Sequence, residues 1–95
     1  MKMLYTIRDT VAETIGPIMV FPADAAAVRS FGDVAADPQT NVNRHVGDFE
    51  LVCLGSISDY GEIDADQPRV VITGAQWSAA QVPAGSDGQL SLIGG

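Results

Sequence analysis

His45 and Cys53 stand eight residues apart with Asp48 between them, and thiol, imidazole and carboxylate are the parts from which a cysteine nucleophile is built. The imidazole would take the thiol proton and the carboxylate would orient the ring. The neighbouring residues argue against that assembly. Cys53 lies in the run Phe49-Glu50-Leu51-Val52-Cys53-Leu54, where a cysteine serves as a small apolar core residue with no lowered pKa, and His45 falls in an Asn-rich stretch where an imidazole is solvated. No catalytic residue is assigned, and the chain reads as non-enzymatic. One cysteine and one histidine also cannot furnish a four-ligand zinc site. Asp59, Glu62, Asp64 and Asp66 crowd into one short segment, but a calcium loop begun at Asp59 would need glycine sixth and glutamate twelfth, and it has Asp64 and Val70 there. An acidic hairpin tip that keeps a strand edge soluble accounts for the cluster. Neither a Walker loop nor a Gly-x-Gly-x-x-Gly turn occurs, so no phosphate cradle, metal or cofactor is implied.

Nucleic-acid chemistry has better raw material. Tyr5 lies between Lys2 and Arg8, and single strands bind where aromatic faces stack bases beside basic side chains. The residues that could form such a surface are Tyr5, Arg8, Arg29, Arg44, Tyr60 and Arg69, with Trp77 as a further platform. The competing account makes these aromatics core or rim residues. Five basic residues face twelve acidic ones, a net charge of −7, so duplex DNA would be repelled at long range and strong non-specific binding is disfavoured. The same charge serves solubility.

At 95 residues the chain has room for one domain, able to bury only about three-fifths of its unfolded surface. Pairing of two copies would help so small a core, and a homodimer is expected. With 46% hydrophobic and 18% charged residues, folding is the default. The lone cysteine excludes an intramolecular disulfide. No apolar run approaches a membrane span, so the sequence predicts a soluble cytoplasmic protein with no membrane contact.

The elements that must position these residues follow from periodicity. Met3, Tyr5 and Ile7 alternate with Lys2, Thr6 and Arg8, which predicts a strand over 2–8, although Leu4 leaves both faces apolar. Residues 10–16 form an extended arm or turn, Gly16-Pro17 interrupts it, and Ile18-Met19-Val20-Phe21 tilts toward a second strand. Ala27, Val28, Phe31, Val34 and Ala35 recur at helical spacing over 23–36, with Asp24 in the first turn, Gly32 as a weak point and Asp37-Pro38 as the stop. A polar loop is expected over 39–47. Phe49, Leu51, Cys53 and Ile57 mark the strongest strand, Asp59 to Glu62 a turn, Ile63 to Ala65 a short partner strand, and Arg69 to Thr73 another strand after Pro68. The fold class is α+β: a small antiparallel sheet of about four strands with one helix on a face, over residues 1–74. Residues 75–95 read as an extended or flexible tail, in which Leu90, Leu92 and Ile93 follow a Gly-Ser-Asp-Gly spacer and could dock on a sheet edge or a partner.

The order Tyr5-x-Ile7-Arg8-Asp9, a Pro-initiated helix with Val28-Arg29-x-Phe31, an Asp37-Pro38 turn and a strand ending Leu51-x-x-Leu54-Gly55 resembles the small non-structural protein of gokushovirus-type Microviridae phages, the phage ORF5-like proteins. The likeness runs over roughly residues 2–73. It implies a phage accessory protein acting in the host cytoplasm in the switch to single-stranded genome synthesis or packaging, by binding replication or assembly proteins or single-stranded DNA. It carries no functional label to any single residue. The extension after Thr73 departs from the family's look and leaves room for an assembly role, contacting the capsid through the tail.

Overall fold

In the computed structural model, which describes residues 1–81, five antiparallel strands form one sheet. β1 (Lys2–Asp9) is central. One of its edges pairs with β4 (Phe49–Ile57), which pairs in turn with β5 (Ile63–Thr73). Its other edge is shared by two short strands, β2 (Thr14–Ile15) and β3 (Met19–Phe21). The predicted α+β class, with a helix covering one face of an antiparallel sheet, is what the chain adopts.

That helix, α1 (Asp24–Ala36), buries Ala27, Phe31 and Ala35 against Tyr5, Leu51 and Cys53, and Val28 and Val34 pack at its flanks. The spacing of these residues puts them on one stripe facing the sheet. The register places Tyr5 opposite Cys53 and Ile7 opposite Leu51, so alternation along β1 and β4 delivers both pairs to the helix side.

Three expectations need correction. Residues 39–47 are not a plain loop: α2 (Asn41–Arg44) and a turn of 3-10 helix (Val46–Asp48) occupy them. The polar side chains there close helix ends instead of bonding only their own backbone. Thr40 Oγ1 donates to the Val34 carbonyl (2.8 Å) and accepts from Asn43 N–H (3.1 Å), while Asn43 Nδ2 donates to the Ala35 carbonyl (2.7 Å). Val42 is buried as the anchor of this short helix. Next, the two strands expected at 63–65 and 69–73 are one strand. β5 runs through Pro68 because it is the edge of the sheet and because its register with β4 shifts between Cys53 and Gly55, where a missing N–H breaks no ladder bond. Lastly, the first residues of the stretch read as a tail, 75–95, are helical. α3 (Gly74–Ala80) carries a capping box from Thr73 and Gln76, and Trp77 packs on the core. Leu90, Leu92 and Ile93 lie outside the described residues.

Gly55 and Gly32 are among the glycines that this architecture requires. Gly55 has φ 144° where β4 shifts register, and a Cβ there would run into the Asp64 carbonyl of β5. Gly32, unfavourable within a helix, faces Trp77: its Cβ would lie 2.8 Å from the indole nitrogen. Packing of α3 thus explains the weak point in α1.

Candidate functional site

Tyr5 sits at the centre of the sheet with no exposed surface, its ring 6.0 Å from that of Phe21. It cannot act as a stacking platform. Its hydroxyl instead donates a 2.6 Å hydrogen bond to Asp24 Oδ1 in the first turn of α1. Arg69, from the helix side of β5, closes on the same carboxylate with two bonds, Nη1 to Oδ2 at 3.0 Å and Nη2 to Oδ1 at 3.2 Å. Asp24 therefore joins β1, β5 and α1 in one cluster. The bonds from Arg69 and then Tyr5 hold its carboxyl below the ordinary value of 3.8, while burial, reinforced by the bond to Asp24, pushes the Tyr5 phenol well above 10.

Arg8 is committed in the same way on the other face of the sheet. Its Nε and Nη2 both donate to Glu50 Oε1, at 2.9 and 2.6 Å, across the β1–β4 pair. Arg29 is exposed on α1 and Arg44 on α2. Tyr60 is 95% exposed, but it lies in the turn after β4 whereas Arg44 precedes β4, so the strand's nine residues separate them. Trp77 is half-buried over Gly32. The six residues singled out for nucleic acid thus lie on both faces and both ends of the sheet, two of the four arginines are neutralised, and no aromatic–cation surface is assembled.

Cys53 lies within the core, 4% exposed, and its thiol donates weakly to the Gly55 carbonyl at 3.7 Å. His45 is exposed at the end of α2. The thiol is thus buried while the imidazole faces outward, and the two do not share an open surface. Among the described residues no three His, Cys, Asp or Glu side chains converge to hold a metal ion, and no helix is long and apolar enough to cross a membrane.

A groove that residue types alone did not announce opens where the arm after β1 meets the helices. Its volume is about 440 Å³, with apolar walls from Ile7, Pro17, Met19, Val34, Val42 and Phe49 and polar groups on Asp9, Thr14 and Asn41. The arm is held in place by Asp9, whose Oδ1 accepts the N–H groups of Val11 and Ala12, both at 3.0 Å. Thr10 anchors it further, donating from N–H and hydroxyl to the Asp48 carbonyl. With its Oδ1 engaged in this turn, Asp9 is a structural carboxylate, and the groove suits an apolar side chain more than a reacting group. Its wall residues come from β1, the arm after it, β3, α1, α2 and β4, and only their assembly makes the groove.

Neither a curated protein nor a solved structure matches this chain. The sequence model of the Phage ORF5 protein family does, over residues 2–77, a span that begins with β1 and ends at the tryptophan packed on Gly32. The chain belongs to the phage ORF5 protein family.

Proposed function

We infer that this phage protein is a non-enzymatic accessory factor that works in the host cytoplasm by binding a protein of the phage replication or assembly machinery when single-stranded genomes are made and packaged. The observation that carries the choice of a protein partner over DNA is the state of the basic residues. Arg8 and Arg69 are spent on Glu50 and Asp24, Tyr5 is buried in the core, and the surface that remains is largely acidic and apolar, with a groove sized for a side chain. Apolar pockets and aliphatic patches are what protein partners anchor on, whereas single strands need cations beside stacked rings.

A pull-down of the tagged chain from infected cells tests this. Recovery of a phage replication or assembly protein is the expected result, and recovery of single-stranded DNA without such a protein would overturn it. Probing purified virions in parallel separates the assembly role, with the capsid contacted through Leu90, Leu92 and Ile93, from one confined to genome synthesis.

A further inference from the structure

The face of the sheet turned away from α1 is apolar, and no helix or strand of the described residues lies across it. Register identifies its members. Leu4 pairs with Val20, Thr6 with Val52, Val52 with Val70, Arg8 with Ile15, and Ile57 with both Lys2 and Ile63. At the centre Leu4, Thr6 and Val52 are buried, while around them Ile15, Val20, Ile63 and Val70 are 43–63% exposed. Four of the eight large exposed hydrophobic residues in the described chain thus share one face, a concentration that marks a contact surface.

Charge says what fits there. The protein carries −7, yet among the registered pairs Glu50 is the one carboxylate on this face, and Arg8 neutralises it. Lys2 is the remaining charge. A basic partner would be drawn to the acidic surfaces elsewhere; a nearly neutral apolar face suits another nearly neutral apolar face, which a second copy of this chain provides. The polar groups are ready for burial as well. The Thr6 hydroxyl already donates to the Gly16 carbonyl at 3.0 Å and lies 3.2 Å from that of Pro17, so drying the face orphans neither it nor the paired carboxylate. Strands of 8, 9 and 11 residues, with the 2 and 3 of β2 and β3 sharing the remaining edge, offer a footprint on the order of 500 Å² before side-chain relief at about 4.8 Å between strands and about 3.4 Å per residue. That is the same order as the roughly 800 Å² per partner of a stable interface.

We propose that this open sheet face is the interface of a homodimer, two copies packing sheet on sheet about a two-fold axis to form a sandwich with the helices outside. The partner protein would then meet the dimer through the groove and the helical side. The test uses the purified full chain alone, so its outcome is independent of the pull-down. Sedimentation equilibrium should show a dimer that tightens with added salt, because screening removes the repulsion between two acidic copies while apolar burial persists. Val20→Glu combined with Val70→Glu, both tolerable in a monomer given their exposure, should raise the dimer dissociation constant at least tenfold, with the circular dichroism spectrum unchanged. Val11→Glu, on the exposed arm outside this face, should leave dimerisation as it was. A monomer at all concentrations, a dimer dissolved by salt, or a dimer indifferent to the paired glutamates would overturn the proposal.

Discussion

Asp24 is bound by Arg69 and Tyr5, and its depressed carboxyl makes it a source of pH-dependent stability. A group whose pKa is lower in the folded state stabilises that state above its unfolded pKa, here near 3.8, and stops doing so as pH falls through the lower folded value. Asp24→Asn should therefore lower the melting temperature at pH 6 to 7, and the gap from the parent protein should close in acid below about pH 4. A gap that stayed constant down to pH 2 would show that the charge is not what matters. Tyr5 has the opposite sign: its raised phenol favours the fold below 10, and that contribution is lost as pH rises above the unfolded value, so Tyr5→Phe should flatten the alkaline limb of the stability profile. Gly32 offers a sharper discrimination. Helix propensity alone predicts that Gly32→Ala gains about 1 kcal/mol, but the indole nitrogen of Trp77 stands 2.8 Å from the new methyl group. The substitution should instead destabilise and shift the tryptophan emission toward longer wavelength as α3 is pushed off. Phe31, fully buried on the sheet, should cost about 3 to 5 kcal/mol as Phe31→Ala, a large part of the stability of so small a domain. Thermal melts check both.

At the scale of elements, what was legible in the sequence depended on how long each pattern ran. The thirteen residues of α1 and the nine of β4 give several turns or alternations each, and their limits follow within a residue or so from the apolar stripe and the Asp37-Pro38 stop. α2 has four residues, too few for a period to register. Its existence depends on Thr40 and Asn43 bonding the last carbonyls of α1, a tertiary circumstance that local composition does not display. β5 looked like two strands because Pro68 ordinarily breaks a ladder, and the exemption comes from its edge position and shifted register. Trp77 is the signal against the tail that the small-residue composition suggests, since a large aromatic there has surface to bury, but only the facing Gly32 shows where it goes. The candidate nucleic-acid residues are dispersed for a related reason: sequence spacing places Tyr5 between two cations but does not reveal that Arg8 is paired with Glu50 on one face of the sheet while the ring lies in the core on the other. These contacts give α3 a testable role. Chains ending at residue 81 should fold and melt much as the full protein does, whereas ending at residue 73 removes the Trp77 packing and should lower the melting temperature by several degrees, on the order of 4–8 °C per kcal/mol lost in a domain of this size. Equal melting of the two truncations would make α3 an ornament on the surface.

Taken as a whole, the molecule carries −7, and the fold distributes that charge unevenly. Arg8 and Arg69 each hold a carboxylate, so among the described residues Lys2, Arg29 and Arg44 are the basic side chains outside ion pairs. They lie on the first residue of β1, on α1 and on α2, and no exposed aromatic side chain stands within the same element as any of them. Affinity for a single strand comes from released counterions plus stacked bases, with a salt slope of about −0.7 for each phosphate neutralised. Three dispersed cations on an acidic body could sustain a slope of about −2 at most, and stacking on Tyr60 alone adds little in a turn where Asp59 and Glu62 flank it and Asp59 already holds the N-terminal ammonium. Fluorescence anisotropy with a labelled oligonucleotide should thus show binding that is weak at low salt and lost at physiological ionic strength. Removing all three cations should change little beyond that small slope. Tight binding that persisted in physiological salt would mean that the strand finds a surface these ion pairs do not close, and it would return the function to direct handling of the genome.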